Sequence, residues 1–325
     1  MQRRPLGQTG LTISSLGFGG SSLGGAFGPI DEAEGVLAVR EALDLGIDYF
    51  DTAPYYGNTR AETVLGRALR DVDRTTYTLA TKVGQYGEGA FDFSAPRVTQ
   101  SLDESLSRLG TDYVDLLQCH DIEFADVDQI VGETLPALHR LKTAGKARHV
   151  GITGLPLTIL AEVVDRAGDL VETVLSFCRY TLTDHSLLDL LPTLEAAGIG
   201  VINAAPTGMG LLTDAGPPDW HPAPASLKRA AREAADRCRD EGWDLASLAI
   251  SFSVANERID TTLVGMTTRE QVRRNVRSAE TAPDPRKLKA VNAALSGVRG
   301  NAFTRGLPEN RDVLAAPFDA EGSDA

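Results

Sequence analysis

Tyr77-Thr78-Leu79-Ala80-Thr81-Lys82, then Ser94-Ala95-Pro96 opening a stretch that carries Val98, Leu102, Leu106 and Leu109, then Tyr113-Val114-Asp115-Leu116-Leu117-Gln118-Cys119, is the segment whose reading decides the fold. The two outer runs are short, apolar and rich in β-branched or aromatic residues, as buried strands are. The middle stretch repeats apolar side chains every three or four positions, which lines one face of a helix over 95–109. Ser-Ala-Pro marks its start, because proline is tolerated in a first turn whose N–H groups lack partners. The unit is strand, helix, strand, and the alternation extends in both directions. Predicted strands cover 15–18, 48–51, 77–82, 113–119, 147–152, 173–176, 200–204 and 261–264, and predicted helices include 31–45, 60–69 and 157–167.

Eight strand–helix units in unbroken alternation, joined by right-handed crossovers, predict a closed parallel (β/α)8 TIM barrel of the α/β class. An open dinucleotide-binding sheet needs Gly-x-Gly-x-x-Gly after its first strand, and Gly17-Phe18-Gly19-Gly20-Ser21-Ser22 has serine at the third place. A glycine-punctuated N-terminal hairpin is expected over 6–13. Helical patterns at 225–241, 244–255 and 283–295 predict extra helices near the C-terminus. The chain reads as one barrel domain over 1–325, with about 298–325 forming either a loop over the barrel mouth or a frayed tail.

At 325 residues and 42% hydrophobic content the chain can bury one large core. A formal charge of −13 repels nucleic acid and anionic membranes, so neither is expected as a partner. Cys119, Cys178 and Cys238 are odd in number and lack metal-ligand spacing, which fits a reducing compartment. With neither a signal-like opening nor a long apolar run, a cytoplasmic monomer or small homo-oligomer is expected.

In a parallel barrel, reactive groups project from the C-terminal strand ends. The second strand ends in Asp51 within Asp51-Thr52-Ala53-Pro54-Tyr55-Tyr56-Gly57, the third in Lys82, and the fourth is followed by His120. Singly, such residues are caps, packing or solvated charge. Together, Asp51, Tyr56, Lys82 and His120 converge on one rim as an acid–base device. An ammonium ~4 Å from a phenol attracts its ionised form by roughly 4 kcal/mol at an effective dielectric of about 20, so Tyr56 is expected to be pulled toward neutral pH. Asp51 would orient Lys82, and His120 would hold a substrate oxygen. No metal site is expected, since His120 and Cys119 have no second ligand pair.

These residues resemble the aldo-keto reductase superfamily over nearly the whole chain, from Leu6-Gly7-Gln8-Thr9-Gly10 to about Asn275. The resemblance implies that Asp51, Tyr56, Lys82 and His120 are the catalytic tetrad of an oxidoreductase that binds NAD or NADP across the mouth without a dinucleotide fold. His120-Asp121-Ile122-Glu123-Phe124, Gly151-Ile152-Thr153-Gly154-Leu155-Pro156, Gly208-Met209-Gly210-Leu211-Leu212-Thr213 and Pro217-Pro218-Asp219-Trp220-His221-Pro222 resemble the L-galactose and L-fucose (D-threo-aldose) 1-dehydrogenase branch. That implies a free aldose oxidised at its anomeric hydroxyl, held by Tyr56, His120, Asp121 and Trp220, with Glu123 and His185 as further polar groups.

For the cofactor, the resemblance implies contacts from Gly20, Ser21, Asp51, Thr153, Gly154, Tyr180, Pro206, Thr207, Gly208, Met209, Gly210, Leu211, Gly265, Met266, Thr267, Gln271, Arg274 and Asn275. Thr153-Gly154 stands where the family usually has Ser-Asn, and Phe177 where it has a carboxamide-binding Gln. Tyr180 would stack on the nicotinamide, and 206–211 would wrap the pyrophosphate. Where NADP-specific relatives place Lys and Arg, this chain has Gly265 and Gln271, so NAD is the preferred expectation. The alternatives are a pyridoxal-type alcohol dehydrogenase, a general NADPH-dependent aldehyde or ketone reductase, and a cofactor-sensing regulatory barrel.

Overall fold

A computed structural model describes residues 1–298, 300 and 303–312. Eight parallel strands form a closed barrel: β1 (Leu16–Gly19), β2 (Tyr49–Asp51), β3 (Thr78–Val83), β4 (Val114–Cys119), β5 (Ala147–Gly154), β6 (Thr173–Phe177), β7 (Gly200–Ala204) and β8 (Thr261–Gly265). Each pairs with its sequence neighbours and β8 closes on β1. All eight predicted strands are present, with ends moved by a residue or two.

The helices form where the apolar period demands and are capped by local chemistry. Asp31 accepts hydrogen bonds from the Ala33 and Glu34 backbone N–H groups at the head of Glu32–Asp44. In Ala95–Leu109, Val98, Leu102, Leu106 and Leu109 are buried and Gly110 ends the helix in the left-handed conformation. Ser94 supplies no side-chain cap there, and the Ala95 N–H donates instead to Glu133 at 2.8 Å. Two helices, Ala225–Asp240 and Leu245–Val254, follow β7 where the repeat needs one, and Pro285–Leu295 packs beside the first.

The N-terminal hairpin pairs Arg3–Pro5 with Thr12–Ser14. The first strand precedes the predicted segment and the second overlaps its end, and Leu6 after the first strand and Ile13 in the second are fully buried against the barrel interior. A second short hairpin, Gln85–Gly87 with Ala90–Phe91, rises from β3 at the opposite end. The main core lies between barrel and helices, and a smaller one of Leu6, Ile13, Tyr49, Ala80, Leu116, Leu175, Ile202 and Leu263 fills the barrel itself.

Beyond the last helix, the described residues 303–312 lie over the mouth. Asp312 accepts from the Leu157 and Thr158 N–H groups and pairs with Arg179, and Asn310 donates to the Glu123 and Ala125 carbonyls. Residues 299, 301–302 and 313–325 of the expected loop or tail lie outside the described residues. Among the described residues no helix is long and apolar enough to cross a membrane.

Candidate active site

Strand register brings the polar residues together. Asp51 is opposite Ala80 and Lys82 is opposite Gln118. Side chains alternate faces along a strand, so Asp51, Lys82, Gln118 and then His120 follow the interior residues Tyr49, Ala80 and Leu116 on the inward face. The burial of this set is what makes its charges consequential. Lys82 and Asp51 form a buried ion pair, with Lys82 Nζ also donating to the Thr52 carbonyl at 2.9 Å and Gln118 Nε2 donating to the other Asp51 oxygen at 2.8 Å. Burial pushes the Asp51 carboxyl up, and Lys82 and Gln118 pull it back. Burial works against the Lys82 charge, but Asp51 and then Tyr56 outweigh it and hold the ammonium above its ordinary range.

Tyr56, on the loop after β2, lies with its ring centre 4.8 Å from Lys82 Nζ, close enough for the ammonium to act on the phenol. The His120 ring meets it edge-on at 5.5 Å. The four predicted residues are thus in one cluster. The expected direction of the Tyr56 shift is corrected, however. Burial pushes the phenol up, Lys82 pulls it down, Asp51 and Asp121 push it up again, and the result is about 12. Tyr56 keeps some contact with solvent through the mouth, but the protein packed around it desolvates the phenolate more than one ammonium repays. His120 is pushed down to about 3 by burial, with Asp121 opposing and Lys82 and Arg305 adding. It is a neutral imidazole across the physiological range, and its buried Nδ1 has no partner among the described residues.

The residues expected to hold a cofactor divide into those at the mouth and those elsewhere. The loop after β7 turns through left-handed backbone at Ala205, Gly208, Met209 and Gly210; the Gly208 and Leu211 N–H groups bond within the loop, and those of Thr207, Met209 and Gly210 have no hydrogen-bond partner among the described residues, which suits an anionic pyrophosphate. Pro206, Thr207 and Leu211 belong to the same loop, and His221 Nε2 holds the Gly208 carbonyl at 2.9 Å. Gly20 and Ser21 lie in the short helix after β1, where a Cβ on Gly20 would stand 2.7 Å from the Asp51 carbonyl. Thr153 accepts from the Asp121 N–H at 2.9 Å, beside Gly154.

On the turn after β8, a Cβ on Gly265 would stand 2.1 Å from Ser22 Oγ, so Ser22 fills the place of a longer side chain. Met266 is fully buried, leaving its backbone for contact, and Gln271 accepts from Thr267 N–H at 2.8 Å. Asn275 is buried with Oδ1 unpartnered. That orphaned acceptor and the left-handed loop fit a nucleotide.

Three of the expected contact residues lie apart from the Tyr56–Lys82–His120 cluster. Tyr180 is buried and stacked on Phe252 at 5.2 Å, so it belongs to the layer between barrel and helix Leu245–Val254. His185 packs on Phe252 in the same layer. Trp220 is 56% exposed and meets Phe27 and His221, with no ring contact to Tyr56 or His120. A residue missed by sequence reasoning is present instead: Arg305, which pairs with Asp121 and Glu123 at the mouth.

A closed parallel barrel with a lysine–carboxylate pair, a tyrosine and a neutral histidine at its C-terminal rim is the architecture of an oxidoreductase, and the comparisons agree. Residues 15–296 match the model of the aldo/keto reductase family. The chain belongs to that family. It is 49% identical over 317 residues to L-galactose dehydrogenase of Arabidopsis thaliana, covering 95% of this chain and 99% of the relative. It is 34% identical to D-arabinose 1-dehydrogenase of Saccharomyces cerevisiae over 75% of this chain and 76% of that one. Among solved structures, an aldo-keto reductase from Bacillus halodurans in its holo form superposes with a TM-score of 0.75 at 28% identity, covering 96% of this chain and all of the other.

Proposed function

We propose that the protein is an NAD-dependent aldose 1-dehydrogenase that oxidises the anomeric hydroxyl of a free sugar of the L-galactose, L-fucose or D-arabinose type to the lactone. The observation that carries this reading is the contact of Tyr56 with the Lys82 ammonium beside a neutral His120. The sugar dehydrogenases among its relatives support the substrate class. A nicotinamide bound across the mouth supplies the acceptor for the hydride leaving the anomeric carbon. Thr153, the loop 205–211 and Asn275 are the residues that would hold the cofactor.

His120 stays uncharged, so it donates an N–H to the anomeric oxygen without competing for the proton. Tyr56 takes the hydroxyl proton as a phenolate, and Lys82 stabilises that negative charge. Asp51 and the Thr52 carbonyl keep the ammonium aimed. With the phenol pushed up to about 12, its ionised fraction grows tenfold for each pH unit through neutrality, so oxidation accelerates as pH rises. In the reverse direction the same phenol is a ready proton donor.

The preference for NAD is supported by the charges around the turn after β8. Arg269 is engaged by Glu34 through three contacts at 3.0–3.2 Å, and Arg273 by Glu41 at 2.6 Å. Arg274 Nε is 3.9 Å from Asp244. Each guanidinium has a carboxylate beside it, which lowers the attraction for a 2′-phosphate. Initial rates with L-galactose, L-fucose and D-arabinose, each with NAD and with NADP, test the proposal. Turnover of at least one sugar with NAD above NADP is the expected result, and no turnover of any aldose would refute it.

A further inference from the structure

One charged cluster at the mouth has no task in the chemistry above. Asp121 follows His120 in left-handed backbone (φ 51), pinned by its N–H bond to Thr153. Its Oδ1 lies 3.9 Å from His120 Nε2, and its other oxygen is bonded to Arg305 Nη2. Arg305 comes from the segment after the last helix. Its Nε donates to the fully buried Glu123 at 3.0 Å, and the guanidinium lies between Phe124 and Phe177, 5.0 and 5.3 Å from their ring centres. The departure at Phe177 thus has a structural use as a wall for this cation.

The cluster is held rigidly and is still open. Arg305 keeps 34% of its side chain exposed, and its Nη1 has no hydrogen-bond partner among the described residues. Glu123 is pushed up to about 8 by burial, with Asp121 adding and Arg305 opposing. The cluster sets two carboxyl groups, Asp121 and Glu123, against one guanidinium, which suits an uncharged polyol better than a sugar acid. The pair presents one acceptor, Asp121 Oδ1, and one donor, Arg305 Nη1, next to the imidazole that would face the reacting oxygen. Adjacent hydroxyls of a sugar require that combination, one donating and one accepting.

We propose that Asp121 and Arg305 form a hydroxyl-recognition subsite that reads the hydroxyl on the carbon next to the reacting one in a neutral sugar. The inference rests on the aldose dehydrogenase reading and deepens it. Arg305 is a specificity residue supplied by the C-terminal segment, anchored from the far side by Asn310 and Asp312.

D-arabinose and 2-deoxy-D-ribose differ only in the hydroxyl at the second carbon, so their kcat/KM ratio isolates this contact. The wild type is expected to prefer D-arabinose by about tenfold to a hundredfold, the worth of a charge-assisted hydrogen bond. In Asp121→Asn and Arg305→Met the ratio should fall to within about threefold, chiefly through KM for D-arabinose, and Arg305→Lys should recover part of it. Circular dichroism checks that each variant folds. Variants that lose rate on both sugars with an unchanged ratio mark a purely structural cluster and overturn the subsite, as does a wild type that uses both sugars equally well. A wild type that oxidises no sugar, yet reduces 4-nitrobenzaldehyde with NADH, overturns the dehydrogenase reading and the subsite with it.

Discussion

Replacing Lys82 with methionine removes the ammonium beside Tyr56 while keeping most of the side-chain length inside the barrel. With 4.8 Å from Nζ to the ring centre as the working separation, and an effective dielectric of about 20, two unit charges interact by roughly 3.5 kcal/mol, or about 300-fold in the phenolate population. The full amount is an upper bound. Without Lys82 the buried Asp51 has no counter-ion, and burial already pushes its carboxyl up, so it takes a proton. That removes its own opposition to the phenolate. Sugar oxidation at pH 8 is therefore expected to fall by between about tenfold and 300-fold in kcat, with little change in cofactor affinity measured by fluorescence titration. Loss of one partner of a buried pair also costs stability, about 3 kcal/mol or more. The double variant Asp51→Asn with Lys82→Met separates the two effects: melting temperature should recover, and turnover should not. A Lys82→Met enzyme that turns over within threefold of wild type refutes the reasoning.

Further outcomes follow from the same geometry. Tyr56→Phe should reduce sugar oxidation by at least about a hundredfold at pH 8 while NAD binding, read by fluorescence quenching, stays within twofold. In the wild type, kcat/KM for oxidation should climb between pH 7 and 10 because the Tyr56 phenol lies at about 12 and only its deprotonated form accepts the proton; a flat profile would contradict this assignment. Glu34→Gln frees Arg269 and should improve NADP binding by about five- to fiftyfold over the parent without affecting NAD, by equilibrium titration. Leu102→Ala, at a fully buried position on the helix Ala95–Leu109, should cost about 2–5 kcal/mol in denaturant unfolding.

Much of this was legible along the chain because it depends on parity. Tyr49 and Asp51, Ala80 and Lys82, and Leu116 and Gln118 are each two apart, so any strand that buries the first member inside the barrel aims the second at the same interior. Tyr180 shows the complementary case. A loop aromatic carries no period, and whether its ring turns to the mouth or to Phe252 is settled by packing against a helix some seventy residues on. Arg305 had only a polar terminal stretch as its signal, and it lies 182 residues from Glu123 in sequence.

The alternation of strand and helix and the ordering of Asp51, Tyr56, Lys82 and His120 along the rim were determined by sequence alone, since both are properties of neighbouring residues and of strand geometry. The tertiary structure decided that the phenol titrates upward rather than down, and that a terminal arginine completes the mouth. Desolvation sums over every atom packed around a group, and a contact between distant segments exists only once the barrel has closed.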